Sequence, residues 1–307
     1  MSRLILRRLA IGVPTLLIII TLSFFMMRLA PGGPFDQERP LPPEIRRNVE
    51  KAYHLDESLV QQYLRYLGGL LKADFGPSYR TKDFTVGQLL VQGAPASFKV
   101  GGLAVLLATV LGLLAGIVAA LRHNSWADYS VMGLAMVGIA IPSFVMAPLL
   151  SLIFGVYLAW LPAGGWGNGA LPFLILPVVS LALPQVAQVA RLARGAMIEQ
   201  LNANYVRTAR AKGLRERLVL LRHALPGAML PVVSYLGPMT AALVTGSVVV
   251  ETIFSIPGIG RYFVQAALNR DYTVVMGVVI VYACLIIVLN LIVDLLYGLI
   301  DPKVRTV

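Results

Sequence analysis

Apolar residues fall in long unbroken runs along this chain, not in the three-and-four spacing of a helix that hides one face in a soluble core. No charged side chain occurs between Arg8 and Arg28, or between Lys99 and Arg122. Each interval can cross about 30 Å of hydrocarbon as a helix. A third charge-free run, from Asp128 to Arg191, is interrupted by Trp160-Leu161-Pro162-Ala163-Gly164-Gly165-Trp166-Gly167-Asn168-Gly169, turn formers mixed with interfacial aromatics. It divides into spans near Val131 to Ala159 and Leu171 to Ala190. The first of these is longer than a bilayer requires and carries Pro142 and Pro148, which predicts a kink, a tilt or a short interfacial piece. Runs near Met229 to Val250 and Val274 to Val293 complete six transmembrane helices. The expected fold class is an all-α polytopic membrane protein.

Residues 30–97 are of a different material, polar and nearly balanced in charge. Pro42-Pro43-Glu44 suits a helix start, because proline is tolerated in the first turn and glutamate is favourable against the dipole. Asp56 is placed to cap a second helix running to about Leu71, and Asp74-Phe75-Gly76-Pro77 reads as a turn. The expected organisation is a first helix within 1–29, a small helical insertion over 30–97, and a core over 98–307 holding helices two to six. Arg3, Arg7 and Arg8 precede the first apolar run as in a signal peptide, but the run reaches Met27 and no small-x-small cleavage site follows, so it is read as a retained span.

Composition agrees: of 307 residues, 57% are hydrophobic and 13% charged, against roughly a quarter charged in soluble domains. The formal charge of +11 is explained by position more than by amount. Arg191, Arg194, Arg207, Arg210, Lys212, Arg215, Arg217 and Arg222 face only Glu199 and Glu216 in the same stretch. Lysine and arginine in short loops resist translocation, so this stretch is expected on the cytoplasmic side, with both termini beside it and 30–97 opposite. The charge is then mostly topology, and nucleic acid is not an expected partner. The single cysteine, Cys284, excludes a disulfide framework within the chain, and His54, His123 and His223 lack metal-ligand spacing.

The most informative stretch is Tyr205-Val206-Arg207-Thr208-Ala209-Arg210-Ala211-Lys212-Gly213-Leu214, followed by Leu220-Leu221-Arg222-His223-Ala224-Leu225-Pro226. Thr208, Ala209 and Ala211 keep a helix narrow enough for close approach to a partner, while Gly213 can take the left-handed conformation that ends a helix. A helix-turn-helix protruding from the membrane is expected, within a loop spanning 194–228. From composition alone, a basic surface loop touching anionic lipid reads equally well.

The stretch resembles the cytoplasmic loop of ABC-importer permeases, whose pattern is Glu-Ala-Ala, three residues, glycine, then nine residues before Ile-x-Leu-Pro. Arg207, Thr208 and Ala209 stand at the Glu-Ala-Ala places, Gly213 at the glycine, and His223-Ala224-Leu225-Pro226 at the end. Replacement of the glutamate by arginine is itself similar to the dipeptide and oligopeptide branch. The opening Leu6-Arg7-Arg8 to Pro31-Gly32 is similar to that branch as well. So are Glu251-Thr252-Ile253-Phe254, Pro257-Gly258-Ile259-Gly260, Asn269-Arg270-Asp271-Tyr272, Asp294-Leu295-Leu296-Tyr297 and Asp301-Pro302-Lys303. Leu41-Pro42-Pro43-Glu44 and Asp74-Phe75-Gly76-Pro77-Ser78 look most like the B-type inner-membrane subunit of oligopeptide permeases.

The resemblance implies a type I importer fold in the bacterial inner membrane and half of an oligopeptide translocation pathway. The implied partners are a homologous second permease subunit, two ATP-binding cassette subunits and an extracytoplasmic peptide-binding protein, with membrane lipid around them. ATP and magnesium would be used by the cassette subunits, and no cofactor is expected on this chain. In the family the basic loop docks on the ATPase, a role carried here to Arg207, Thr208, Ala209, Arg210, Ala211, Lys212 and Gly213, with Leu225 and Pro226. Dipeptide, glutathione and nickel-chelate importers share most of these motifs and remain alternatives.

Ser234, Tyr235, Thr240, Thr245 and Ser247 make the fifth span unusually polar and small, suited to close helix packing and also to lining a path. Intramembrane charge is nearly absent. Asn290, Asp294 and Glu251 sit at span ends and read as packing or interface residues, which disfavours an ion-coupled secondary transporter. No G-x-x-x-x-G-K-[ST] phosphate loop occurs, so ATP hydrolysis is assigned elsewhere, and no nucleophile with a paired base nominates an enzyme.

Overall fold

A computed structural model describes residues 2–29, 44, 47, 48, 51, 53–81, 84–245 and 247–300. Within them the secondary structure is helical, apart from one isolated bridge between Pro77 and Thr85. The helices are α1 (Ser2–Leu29), α2 (Leu59–Leu70), α3 (Val86–Leu121), α4 (Trp126–Ala140), α5 (Ser143–Leu150), α6 (Leu171–Leu201), α7 (Asn204–Ala211), α8 (Glu216–Val219), α9 (Leu225–Thr245), α10 (Val248–Ile253), α11 (Ile259–Leu268) and α12 (Tyr272–Ile300). Among the described residues five helices are long and apolar enough to cross a membrane, and a bent pair makes a sixth.

That pair is the third expected span. It is two helices, α4 and α5, meeting at 101°. Pro142 cannot donate to the helix ladder and disfavours helical backbone at the residue before it. Ile141 accordingly sits at φ −91°, ψ 113°, and the chain turns there. After α5 the backbone continues as a wide π turn over Ser151–Tyr157.

The helix expected at Pro42-Pro43-Glu44 falls outside the described residues except for Glu44, Arg47, Asn48 and Lys51. The next one starts later than expected. Its cap is Ser58 and not Asp56, because Ser58 and Gln61 stand three apart and satisfy each other's orphan N–H groups in a capping box. The turn follows as expected, with the Gly76 N–H donating to Asp74 Oδ1 at 2.9 Å. Thr85 and Gln88 form a second capping box that starts α3 at Val86, so the last residues of 30–97 are already helical. Lys99, taken as the edge of span two, lies inside α3 and donates to the Gly169 carbonyl at 2.8 Å.

The core is built on α3 against α6, the most extensively packed pair of helices. Ala104, Ala108, Gly112, Gly116 and Ala120 recur every four residues on α3, and the alanines are at most 3% exposed. A Cβ at Gly112 would lie 2.6 Å from Val189 Cβ, and one at Gly116 would lie 2.5 Å from the Ala190 carbonyl oxygen. Only a stripe of small residues allows backbones this close, the usual device when lipid supplies no hydrophobic drive. Leu6, Ile11, Ile18 and Leu22 of α1 stay exposed, as a lipid-facing surface would. Arg8 and Asp294 join the start of α1 to the end of α12 through N–O distances of 2.7 and 2.9 Å.

Candidate functional site

α6 does not stop at Ala190. It runs on to Leu201 and carries Arg191 and Arg194 with it. Arg194 is committed inside the chain, its Nε and Nη2 donating to Asp128 at 2.5 and 2.7 Å, and Asp128 is 1% exposed. The free-standing part of the basic stretch therefore begins at α7. There Thr208 Oγ1 donates to the Asn204 carbonyl at 3.0 Å. The helix ends at a turn in which Gly213 has φ +77° and its N–H donates to the Arg210 carbonyl at 2.9 Å. Nothing lies within 4 Å of where its Cβ would be, so the glycine is required by backbone conformation and not by space.

Arg207, Thr208, Arg210, Ala211, Lys212 and Gly213 are all exposed. Ala209 is not. It is 5% exposed and packs with Val206 against Ala196, Met197, Val219 and Ala224, so its small side chain serves this chain's own packing, contrary to the expectation of close approach to a partner. Arg210 donates to Glu216 at 2.6 and 3.1 Å across the turn, and that carboxylate pushes the guanidinium above its ordinary pKa. Leu225 is half-buried and Pro226 exposed. Both lie where α8, a π turn over Leu220–Ala224 and α9 run together. The sequence reading missed the apolar part of this surface: Tyr205, Leu214, Leu218 and Leu221 are exposed between the basic groups. Large apolar residues interspersed in a charged loop were the available signal.

The hydroxyls picked out on the fifth span are mostly turned onto their own helix. Ser234, Thr240 and Thr245 donate to carbonyls four residues earlier, at 3.0, 2.7 and 2.7 Å. Tyr235 instead reaches across to α6, its Oη 2.7 Å from Gln185 Oε1. Ser247 is fully buried and donates to Glu251 Oε1 at 2.6 Å.

Glu251 anchors the far end of the bundle. It lies on the short α10 and has no exposed surface. Its Oε2 accepts from the Gly260 and Arg261 N–H groups at 2.8 and 3.3 Å, where the first turn of α11 presents orphan donors. Ser97 of α3 accepts from the Ile259 N–H at 2.9 Å in the same place. A Cβ on Gly258 would lie 2.3 Å from Glu251 Oε2, which explains the glycine of Pro257-Gly258-Ile259-Gly260. Asp271 does the equivalent for the insertion. It accepts from Ser78 Oγ at 2.5 Å and from the Tyr79 and Arg80 N–H groups at 3.2 Å. It also accepts from Thr273 Oγ1 at 2.9 Å, at the start of α12. The motifs Asp74 to Ser78 and Asn269 to Tyr272 are thus two halves of one contact.

Residues 112–306 match the family model described as binding-protein-dependent transport system inner membrane component. The oligopeptide transport system permease protein OppB of Escherichia coli (strain K12) is 54% identical over 305 residues, covering 99% of this chain and 100% of that one. Its namesake in Haemophilus influenzae is 52% identical with the same coverage. The dipeptide transport system permease protein DppB of Bacillus subtilis is 42% identical, over 99% of this chain and 98% of its own. Among solved structures, inward facing conformations of the MetNI methionine ABC transporter match with a TM-score of 0.60 at 17% identity, over 69% of this chain and 96% of that one. This last likeness carries the fold.

Proposed function

The chain belongs to the family of binding-protein-dependent transport system inner membrane components, and from that premise we propose that it forms half of the translocation pathway of an ATP-driven oligopeptide importer. The observation that carries the substrate class is the full-length identity of 54% to an oligopeptide permease, against 42% to a dipeptide permease. A homologous second permease subunit supplies the other half of the path, two ATP-binding cassette subunits hydrolyse ATP, and an extracytoplasmic peptide-binding protein delivers cargo. This chain itself hydrolyses nothing.

The basic loop lies in the cytoplasm beside both termini, as the arginine and lysine distribution requires. Its exposed face, Arg207, Thr208 and Arg210 to Gly213 with Tyr205, Leu214 and Leu218, meets the cassette subunit and passes nucleotide-driven closure to α6 and α9. The test is uptake competition with peptides of graded length in the reconstituted four-subunit complex with its binding protein. Competition by peptides of three to five residues, stronger than by dipeptides, supports the oligopeptide reading. Competition by dipeptides alone favours the dipeptide reading, which the relative in Bacillus subtilis motivates. Transport by this chain alone in proteoliposomes, driven by an ion gradient, defeats both.

A further inference from the structure

Gln185 and Gln188 lie within the apolar run of α6, six and three residues before Arg191, toward the basic end of the span. Both are half-buried. Each has its carbonyl already satisfied: Gln185 Oε1 by the Tyr235 hydroxyl at 2.7 Å, and Gln188 Oε1 by Arg191 Nη2 at 2.7 Å. Neither Nε2 group has a hydrogen-bond partner among the described residues. An amide N–H₂ turned toward lipid is strongly disfavoured, so this face of α6 meets something polar.

The partners fix orientation as well as satisfy it. With each carbonyl turned to its partner, the two amides present their N–H₂ groups on the other side. On a helix, side chains three apart have Cβ atoms about 5–6 Å apart. In an extended peptide, carbonyls pointing to the same side recur every two residues, roughly 6.7 Å apart. The two repeats agree within the reach of a glutamine side chain. Such donors recognise main-chain carbonyls and are blind to side chains, which suits a path that must pass peptides of different sequence.

Resting on the reading of this chain as half of a peptide path, we propose that Gln185 and Gln188 bind the main-chain carbonyls of the peptide in transit, toward the basic end of α6. Tyr235 and Arg191 act as positioning residues that hold the amides in donor orientation. The test uses the reconstituted complex and compares a transported tetrapeptide with its depsipeptide, in which one amide carbonyl becomes an ester carbonyl, a weaker acceptor.

In a complex that co-purifies at normal stoichiometry, the double variant Gln185→Leu with Gln188→Leu should lower tetrapeptide uptake about tenfold. It should also bring the uptake ratio of the two ligands toward one. Tyr235→Phe should move that ratio the same way by a smaller factor. In a Cys284→Ala background, Gln188→Cys should react with a water-soluble thiol reagent, and transported peptide should slow that reaction. A double variant with normal uptake and an unchanged ratio overturns the proposal. So does loss of the second permease subunit on purification, which would assign the amides to a subunit contact, or labelling that peptide leaves unaltered. Failure of the unmodified complex to take up any peptide overturns the underlying function instead, so the two failures are distinguishable.

Discussion

At one end of the bundle Arg207, Lys212, Arg215, Arg217 and Arg222 stand exposed on α7, α8, the turn between them and the π turn that follows. At the other end Glu251 and Asp271 are at most 2% exposed, Glu251 surrounded by donors from Ser247 and the first turn of α11, and Asp271 by donors from the distant 78–80 segment. Exposed charge in water contributes little to a chain's own stability, whereas a buried carboxylate is tolerable only when it is fully hydrogen-bonded. The difference separates two uses of the same kind of group. The basic end leaves its charge available to another surface, and the opposite end spends its charge fixing α10, α11 and the 72–81 segment to the core.

The comparison can be broken first at Glu251. Glu251→Ala leaves the Gly260 and Arg261 N–H groups without their acceptor, at about 1 kcal/mol or more each, while the Ser247 hydroxyl keeps the Val244 carbonyl at 3.0 Å. The expected loss is roughly 3 kcal/mol, read as a lowered thermal midpoint of the detergent-purified protein. A midpoint within error of wild type would show that this end is not held as described.

Asp271→Ala comes next, at about 2 kcal/mol, with a more local signature. Limited proteolysis should cut the 72–81 segment faster while the basic loop keeps its cleavage rate. Equal acceleration at both ends would mean that Asp271 supports the whole bundle and not the insertion.

Gly213→Val sharpens the contrast from the basic side. A β-branched residue in the left-handed region costs about 1–2 kcal/mol, and Gly213→Asn less. The expected result is a small shift in thermal midpoint with a large loss of binding-protein-stimulated ATP hydrolysis and uptake, partly spared in the asparagine variant. Full coupling in the valine variant would remove the turn from the transmission path.

The smallest effect is expected for Arg8→Ala. The pair with Asp294 has side-chain exposures of 51% and 26%, so it should contribute under about 1 kcal/mol. A drop comparable to that of Glu251→Ala would mean that this ion pair is shielded by a neighbouring subunit.

Much of this molecule was legible in its sequence because lipid imposes a simple rule, that a span must be long and free of charge. Among the described residues that rule located the five long apolar helices and the bent pair, but it says little about where helices begin beyond the hydrocarbon. It therefore placed Lys99 at an edge and ended α6 at Ala190, when capping at Thr85 and the Arg194–Asp128 pair extend both helices. The 101° break at Pro142 was visible as a proline and indeterminate as an angle, since packing sets the angle. In the candidate site, Gly213 was readable because a positive φ is a local property. Ala209 was misread because its neighbours come from Ala196 and Val219, which the loop sequence cannot name. Gln185 and Gln188 are uncharged polar residues inside an apolar run, which a rule built on charge does not register.

The close seam between α3 and α6 bears on how motion travels. With Gly112 against Val189 and Gly116 against the Ala190 backbone, the two helices have no side-chain slack through which one could slip past the other. Along the seam they shift together, although Pro177 and Pro184 each remove a ladder bond from α6, and at 31 residues α6 alone is roughly 46 Å long. α7 is bolted to one end of α6 through Val206 and Ala209. A tilt of a few degrees imposed there becomes a displacement of several ångströms at the far end, with Gln185 and Gln188 near the middle.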